Sequence, residues 1–137
     1  TIRRVLVIWM RVLVVDDYPG AADATCLLLR LLGHEPLAAT TGEQALEHAS
    51  TFAPDVVLLD LGLPDVSGYD VARMLRQRPG KQLFIAALTG SSSPDERVRI
   101  RAAGIDMYVL KPAGADNLGK IIAAAQRSIC SPTGDLR

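Results

Sequence analysis

Residues 55–68 of the chain read Asp-Val-Val-Leu-Leu-Asp-Leu-Gly-Leu-Pro-Asp-Val-Ser-Gly, an apolar run that ends in an acid and is followed by turn-forming residues. Residues 56–59 form a continuous apolar run, which is typical of a strand buried on both faces of a parallel sheet. Asp60 follows the run directly, and Ser67-Gly-Tyr-Asp70 then opens a helix that is expected to end before Pro79. The stretch therefore predicts a strand, a loop and a helix, with an acid at the carboxyl end of the strand.

Four further strands are predicted around this unit, with helices between them. The strands are expected at residues 12–15, 35–38, 83–88 and 107–110. Helices are expected at residues 21–32, at 41–49 with a capping box at its start, and at 93–104. A last helix is indicated by the spacing of Leu118, Ile121, Ile122, Ala125 and Ile129. Pro36 cannot donate to a ladder, so its strand is expected at a sheet edge. The alternation predicts an α/β domain, (βα) repeated five times, whose parallel sheet is covered by helices on both faces.

The length and composition fit one domain with one core. The chain has 137 residues, 49% of them hydrophobic, and its 15 Lys and Arg balance its 15 Asp and Glu. A net charge near zero gives no electrostatic reason to expect nucleic-acid binding. The apolar residues 5–10 fall far short of the roughly 20 that cross a bilayer. Cys26 and Cys130 have no zinc-like spacing, and idle thiols are expected. These features predict a soluble, cytoplasmic protein.

The domain is expected at residues 10–130, flanked by an extension at 1–9 and a loose polar tail at 131–137. The segment Arg4-Val-Leu-Val-Ile8 nearly repeats Arg11-Val-Leu-Val-Val15, and either copy has the pattern of a first strand. Only the second copy is followed by acids, so the first strand is assigned there. Two interpretations of residues 1–9 stay open. They could be disordered, or they could add a strand to a sheet edge or to a partner.

Polar side chains stand where four of the predicted strands end. They are Asp16 and Asp17 after the first strand, Asp60 after the third, Thr89 after the fourth and Lys111 after the fifth. Any one of them alone is better explained as a helix cap, a turn residue or a solvated surface charge. Because ligands of such folds bind beyond the carboxyl ends of the strands, their joint occurrence indicates a functional site.

The chemistry of this set favours phosphoryl transfer with a metal. Three carboxylates packed together repel one another unless a cation joins them, and hard oxygen ligands suit Mg²⁺. A carboxylate beside the metal can attack phosphorus and form an acyl phosphate. The negative charge of that transition state would be stabilised by a hydroxyl and an ammonium, which Thr89 and Lys111 supply.

The sequence resembles the receiver domain of two-component response regulators. The resemblance rests on Val-Leu-Val-Val-Asp-Asp at 12–17, the stretch at 55–68, Ala-Leu-Thr-Gly at 87–90 and Leu-Lys-Pro at 110–112, and it covers residues 10–130. It implies a flavodoxin-like fold with a five-stranded parallel sheet of order 2-1-3-4-5.

The resemblance implies a role for each acid. Asp60 would be the phosphoryl acceptor, and Mg²⁺ would be held by Asp17, Asp60 and the backbone carbonyl of Gly62. Asp16 would act on the metal through water. Gly62 and Ser91 occupy the positions that tune hydrolysis of the acyl phosphate, and Gly62 offers no side chain where relatives often carry a larger one.

The resemblance also implies how the phosphoryl group would be sensed. Lys111 would pair with Asp60 and then with the phosphoryl group, and its bond to Pro112 would be cis. Thr89 would turn to a phosphoryl oxygen, and Tyr108 would move with it as the switch aromatic. The alternative for Tyr108 is a half-buried core tyrosine.

As a receiver domain, the chain would take its phosphoryl group from a sensor histidine kinase or a histidine phosphotransfer domain. The signal would leave through the fourth helix, fifth strand and fifth helix, residues 94–129, to a downstream protein or a second copy of the chain. This face includes Arg97, Arg99 and Arg101, which either pair with acids on a partner or form a solvated basic surface. A stand-alone regulator and the receiver of a hybrid sensor kinase both stay open.

Three other classes of function fit the sequence less well. Phosphatases with an aspartyl nucleophile usually place a second acid two residues later, where this chain has Gly62, so turnover as an enzyme is not expected. The main alternative is a receiver-like interaction module that works without phosphorylation, although every acceptor residue is present. A flavin-binding relative is disfavoured because the acidic loop 16–20 would repel a phosphate.

Overall fold

A computed structural model of the chain, which describes residues 9–80 and 82–129, contains five strands and five helices in alternation. The strands are β1 (Arg11–Val15), β2 (Glu35–Ala39), β3 (Val56–Asp60), β4 (Phe84–Thr89) and β5 (Met107–Leu110). The helices are α1 (Pro19–Leu31), α2 (Gly42–Phe52), α3 (Gly68–Gln77), α4 (Pro94–Ala102) and α5 (Ala115–Ile129). All strands are parallel in one sheet of order β2-β1-β3-β4-β5, which confirms the expected topology.

The central strands are buried on both faces because they are apolar along their length. In β1, Leu13 and Val15 pack into a cluster with residues of α2, α3 and α4. Val12 and Val14 pack on the opposite face, into a cluster with residues of α1 and α5. None of these four side chains is more than 1% exposed. Helices therefore cover both faces of the sheet, and the ends of the strands remain for polar chemistry.

Two expectations about the sheet are confirmed. Pro36 lies in the edge strand β2, paired with Val12, and the second of the two near-identical segments forms β1. The first segment, Cys130 and the tail 131–137 lie outside the described residues. Cys26 is a buried free thiol. In the part of the chain that the structure describes, no helix combines the length and apolarity needed to cross a bilayer.

Side-chain caps begin three of the helices, although one capping box is incomplete. The hydroxyls of Thr41, Ser67 and Ser93 each accept a hydrogen bond from a backbone N–H in the first turn, at 3.0, 3.2 and 3.2 Å. The expected capping box fails at its second half, because the Gln44 side chain accepts from Thr40 N–H instead of Thr41 N–H. The predicted reciprocal hydrogen bond from the Gln44 side chain to the cap residue is therefore absent at α2.

Two helix boundaries and one helix face differ from expectation. α2 continues to Phe52 and does not end at residue 49. α1 begins at Pro19 and not at residue 21, because proline at the first helical position needs no donor of its own. In α5, four of the five residues at helical spacing are buried, but Ile129 is 39% exposed. Ile129 is the last residue of that helix, so the buried stripe stops before the helix does.

Candidate functional site

Three acids converge at the carboxyl ends of β1 and β3. Asp16 and Asp17 follow β1, and Asp60 is the last residue of the neighbouring strand β3. One carboxylate oxygen from each acid lies within 4.8 Å of the other two. Asp60 is buried, with 1% of its surface exposed, whereas Asp17 is exposed. The cluster is therefore anchored in the sheet and reachable from solvent, and its oxygen donors fit a hard divalent cation such as Mg²⁺.

Lys111 brings a positive charge to the buried Asp60. It follows β5, and its bond to Pro112 is cis, as expected. Its Nζ lies 2.7 Å from Oδ1 of Asp60, and Gly62 N–H donates to the same oxygen at 2.9 Å. No side chain or backbone group among the described residues donates to Oδ2 of Asp60. One oxygen is thus held by an ammonium and an amide, while the other is left for a ligand.

The carboxylates of the cluster repel one another. Burial raises the pKa of Asp16 above its usual value, and the charges of Asp60 and Asp17 act in the same direction. The N–H of Tyr18, which donates to Asp16 at 3.0 Å, and the charge of Lys111 oppose this rise. Burial and repulsion outweigh these two contacts, so a cation bound beside Asp16 would stabilise its charged form.

Thr89, the last residue of β4, lines the same groove as Asp60 and Lys111, but its hydroxyl is engaged elsewhere. Its side chain is buried, and its Oγ1 donates to the carbonyl of Ser91 at 3.1 Å. The same oxygen accepts from Ser91 N–H at 3.2 Å. In this structure the hydroxyl is therefore bonded to the β4–α4 loop and not to Asp60.

Tyr108 is half-buried, which is the position expected if it is a core tyrosine and not the switch aromatic. It lies in β5, paired with Ala87 of β4, and packs against the core cluster that includes Ile100 of α4. Its ring therefore lies on the face of the sheet that is covered by α2, α3 and α4. Its part in a switch remains a prediction.

Asp65 fastens the loop that follows Asp60, a contact that the sequence did not reveal. Its two carboxylate oxygens accept from the N–H groups of Gly42 and Glu43 at the start of α2, at 2.9 and 3.1 Å. These hydrogen bonds lower the pKa of Asp65. A Cβ on Gly42 would lie 3.0 Å from Cβ of Val66, so only glycine permits this approach without movement. The loop that carries Gly62 is therefore tied to α2.

Two grooves meet at Asp60 and Lys111. The first runs along α1 and is also lined by Tyr18, Leu28 and Pro112. The second opens between the β3–α3 and β4–α4 loops and contains Gly62, Thr89 and Ser91. Asp60 can therefore be reached from two separate parts of the surface.

Comparisons with known proteins agree with this fold. Residues 12–123 match the response regulator receiver domain family. The chain is 42% identical over 119 residues to the transcriptional regulatory protein KdpE of Mycobacterium tuberculosis and 37% identical over 130 residues to the virulence sensor protein BvgS of Bordetella pertussis. These matches cover 85% and 90% of the chain but only 51% and 10% of the relatives. The solved structure of chemotaxis response regulator CheY4 of Vibrio cholerae matches with a TM-score of 0.80 at 26% identity, over 86% of this chain and 99% of that one.

The fold and the cluster at the strand ends define a flavodoxin-like α/β domain with a carboxylate centre. Because the family match covers most of its length, the chain belongs to the response regulator receiver domain family, the phosphoacceptor modules of two-component signal transduction. Such domains receive their phosphoryl group from histidine kinases and related phosphodonors. The chain spans about half the length of KdpE and about a tenth of BvgS, two curated relatives that it matches.

Proposed function

We propose that Asp60 accepts a phosphoryl group from a phosphohistidine donor in a Mg²⁺-dependent reaction, and that the resulting acyl phosphate alters a partner-binding surface. The observation that carries this proposal is the convergence of Lys111, Asp16 and Asp17 on the buried Asp60. A carboxylate with a free oxygen, a cation at 2.7 Å and two further acids is suited to hold a metal and to attack phosphorus.

The donor set supports Mg²⁺ as the cofactor. Asp17, Asp60 and the backbone carbonyl of Gly62 would bind it directly, and Asp16 would bind it through water. Mg²⁺ accepts such partial protein coordination because it retains several waters. When bound, it would neutralise the carboxylates and attract a phosphoryl oxygen.

In the transfer step, an oxygen of Asp60 attacks phosphorus while the bond from phosphorus to the donor's histidine nitrogen breaks. The imidazole leaves with the electron pair of that bond, and the acyl phosphate forms. Negative charge develops on the equatorial oxygens of the phosphoryl group. The ammonium of Lys111, which lies beside Oδ1 of Asp60, can stabilise that charge. Burial of Asp60 strengthens this attraction, since fewer waters screen it.

The switch would begin at Thr89. Its hydroxyl must leave the carbonyl of Ser91 to donate to a phosphoryl oxygen, and that departure releases two hydrogen bonds in the β4–α4 loop. Tyr108 would then repack against β4 and α4. Phosphorylation would thereby shift an existing equilibrium between two arrangements of that loop.

The helix that follows the loop is well suited to respond. Ile100 is the only buried residue of α4, whereas α3 buries five. Val98 of α4 and Leu110 of β5 are 68% and 47% exposed. α4 is therefore weakly anchored and lies beside exposed apolar side chains. These two features support the face formed by α4, β5 and α5 as the binding surface for a downstream protein or a second copy of the chain.

The phosphohistidine donor would dock on the other side of Asp60, at α1. The groove there is lined by Ala21, Ala24 and Leu28 of α1. Leu27 and Leu31, outside the groove on the same helix, are 56% and 74% exposed. Tyr18, at 69% exposed, lies at the start of the same helix. An apolar helical surface next to the nucleophile suits a protein that must deliver a phosphorylated side chain to Asp60.

Labelling by a small phosphodonor tests the assignment. We expect acetyl phosphate with Mg²⁺ to label the wild-type chain, chelation of Mg²⁺ to abolish labelling, and the label to decay by hydrolysis once the donor is removed. Asp60→Asn should lose the label. Asp70→Asn, which makes the same change at an exposed acid of α3, should keep it. Labelling of Asp60→Asn at the wild-type level would refute the site.

A further inference from the structure

The second groove at Asp60 contains a cation that the proposed transfer step does not use. Asp60, Thr89 and Lys111 line this groove, and so do Tyr69, Glu96 and Arg99. Lys111 is already paired with Asp60. Arg99 is therefore the additional positive charge in this groove, one of the two that lead from solvent to Asp60.

The guanidinium of Arg99 is held in place without consuming its donors. Its Cζ lies 4.2 Å from the centre of the Tyr69 ring, a cation–π contact between α4 and α3. Among residues 9–80 and 82–129, no carboxylate or carbonyl accepts a hydrogen bond from its side chain. Other arginines of the chain are satisfied differently, since Arg73 pairs with Asp70 and Arg78 donates to Ser50. The N–H donors of Arg99 are thus available to a ligand.

The Tyr69 ring that Arg99 stacks on is buried in the core. Tyr69 lies in the first turn of α3, is only 5% exposed and packs in the core cluster with Ile100 and Ala72. A guanidinium stacked on such a ring keeps its edge exposed, and that edge matches two oxygens of a phosphoryl group. The planar fork is therefore preorganised for an oxyanion in this groove.

We propose that Arg99 binds the phosphoryl oxygens of a small phosphodonor that enters this second groove, and holds them there until Asp60 attacks. This inference rests on the proposed role of Asp60 and adds a binding residue for the donor. A phosphodonor is an anion, and the acids of the site repel it. Glu96 adds a further negative charge to the same groove. Arg99 offsets this repulsion for an anion that enters the second groove.

Arginines of the same helix provide the control. Arg97 and Arg101 line a different depression on α4, together with Val98, and that depression does not include Asp60. Arg97→Gln and Arg101→Gln change the net charge by the same amount as Arg99→Gln. They report any effect of overall charge, whereas Arg99→Gln also removes the cation of the groove.

The experiment measures initial rates of labelling against acetyl phosphate concentration at saturating Mg²⁺. Arg99→Gln should lower the second-order rate constant about fivefold, the effect expected of one partly screened charge-assisted contact. Arg97→Gln and Arg101→Gln should label like wild type, and Glu96→Gln should label faster. The deficit of Arg99→Gln should shrink as NaCl rises. Mg²⁺ affinity should stay unchanged.

The outcomes separate this inference from the proposed function. If the wild-type chain is not labelled, the proposed function fails and the inference with it. If the wild-type chain is labelled and Arg99→Gln labels as fast as the two control variants, the inference alone is overturned. An equal deficit in all three arginine variants, or a loss of Mg²⁺ affinity in Arg99→Gln that accounts for its slower labelling, overturns it as well.

Discussion

Gly68→Ala tests how tightly the loop after Asp60 is packed against α3. An ideal Cβ on Gly68 would lie 2.7 Å from Cα of Leu61 and 2.9 Å from the carbonyl oxygen of Asp60. Carbon atoms in normal contact are about 3.5–4.0 Å apart, so the two backbones must separate by roughly 1 Å. Both neighbours are backbone atoms at the end of a buried strand, and neither can turn aside as a side chain would.

The expected cost follows from two opposing effects. Overpacking of this kind lowers the free energy of unfolding by about 1–3 kcal/mol. The better helix propensity of alanine raises it by up to about 1 kcal/mol. We therefore expect Gly68→Ala to lower the free energy of unfolding by roughly 1–2 kcal/mol, which is about 0.5–1 M in the midpoint of urea unfolding. Because the displaced atoms belong to Asp60 and Leu61, Mg²⁺ affinity should fall too.

Gly119→Ala is the matched control for this substitution. Gly119 lies inside α5 and is exposed, and a Cβ there would meet nothing within 4 Å. The same chemical change should therefore raise stability by about 0.5–1 kcal/mol through helix propensity alone. The packing argument fails if Gly68→Ala unfolds at the wild-type midpoint or above it while Gly119→Ala behaves as expected.

Two further predictions concern single contacts. Burial lowers the pKa of His34, whose Nδ1 accepts from Met10 N–H at 3.2 Å, so its contribution to stability is present above pH 6.5 and lost as the pH falls below it. Urea midpoints between pH 7.5 and 5.5 should therefore fall in wild type and fall less in His34→Asn, which keeps an acceptor but does not titrate. Asp65→Ala should weaken Mg²⁺ binding and lower the urea midpoint more than Asp65→Asn, because the amide oxygen still accepts from the start of α2.

Each of these predictions can be contradicted directly. The same dependence of the urea midpoint on pH in wild type and His34→Asn would exclude His34 as its source. If Asp65→Ala and Asp65→Asn bind Mg²⁺ as wild type does, the tie to α2 does not position the loop that carries Gly62.

The sheet was predictable from local pattern, and the reason is physical. A strand covered by helices on both faces needs apolar side chains at every position, so its sequence carries a continuous signal. β3 was expected at residues 56–59 and spans Val56–Asp60, and β5 has the expected bounds. The polar residue that ends each run then marks the carboxyl edge of the sheet. Asp16, Asp17 and Asp60 could therefore be grouped before any coordinates were known.

What the sequence could not reveal are contacts between residues far apart in the chain. Asp65 reaches α2 across 22 and 23 residues, and Arg99 meets Tyr69 from another helix. Arg76 donates from α3 to the carbonyl of Gly104 and pairs with Asp106. The hydrophobic periodicity of helices and strands does not predict these pairs. A side chain's partner on another element depends on its rotamer and on the packing around it. Thr89 is a similar case, since its position was expected but its bonds to Ser91 were not.

The charges of the site indicate what kind of signal phosphorylation sends. Three carboxylates and one ammonium leave the cluster at a formal charge of −2, which one divalent cation cancels. Phosphorylation at Asp60, as proposed, would replace one carboxylate charge by about −2 on the phosphoryl group, so the total would change by only about one unit. The larger change is in position, because negative charge moves from a buried carboxylate outward into the groove. Groups already lining that groove, Thr89 with its hydroxyl turned to Ser91 and Arg99 with free donors, are the ones placed to respond to it.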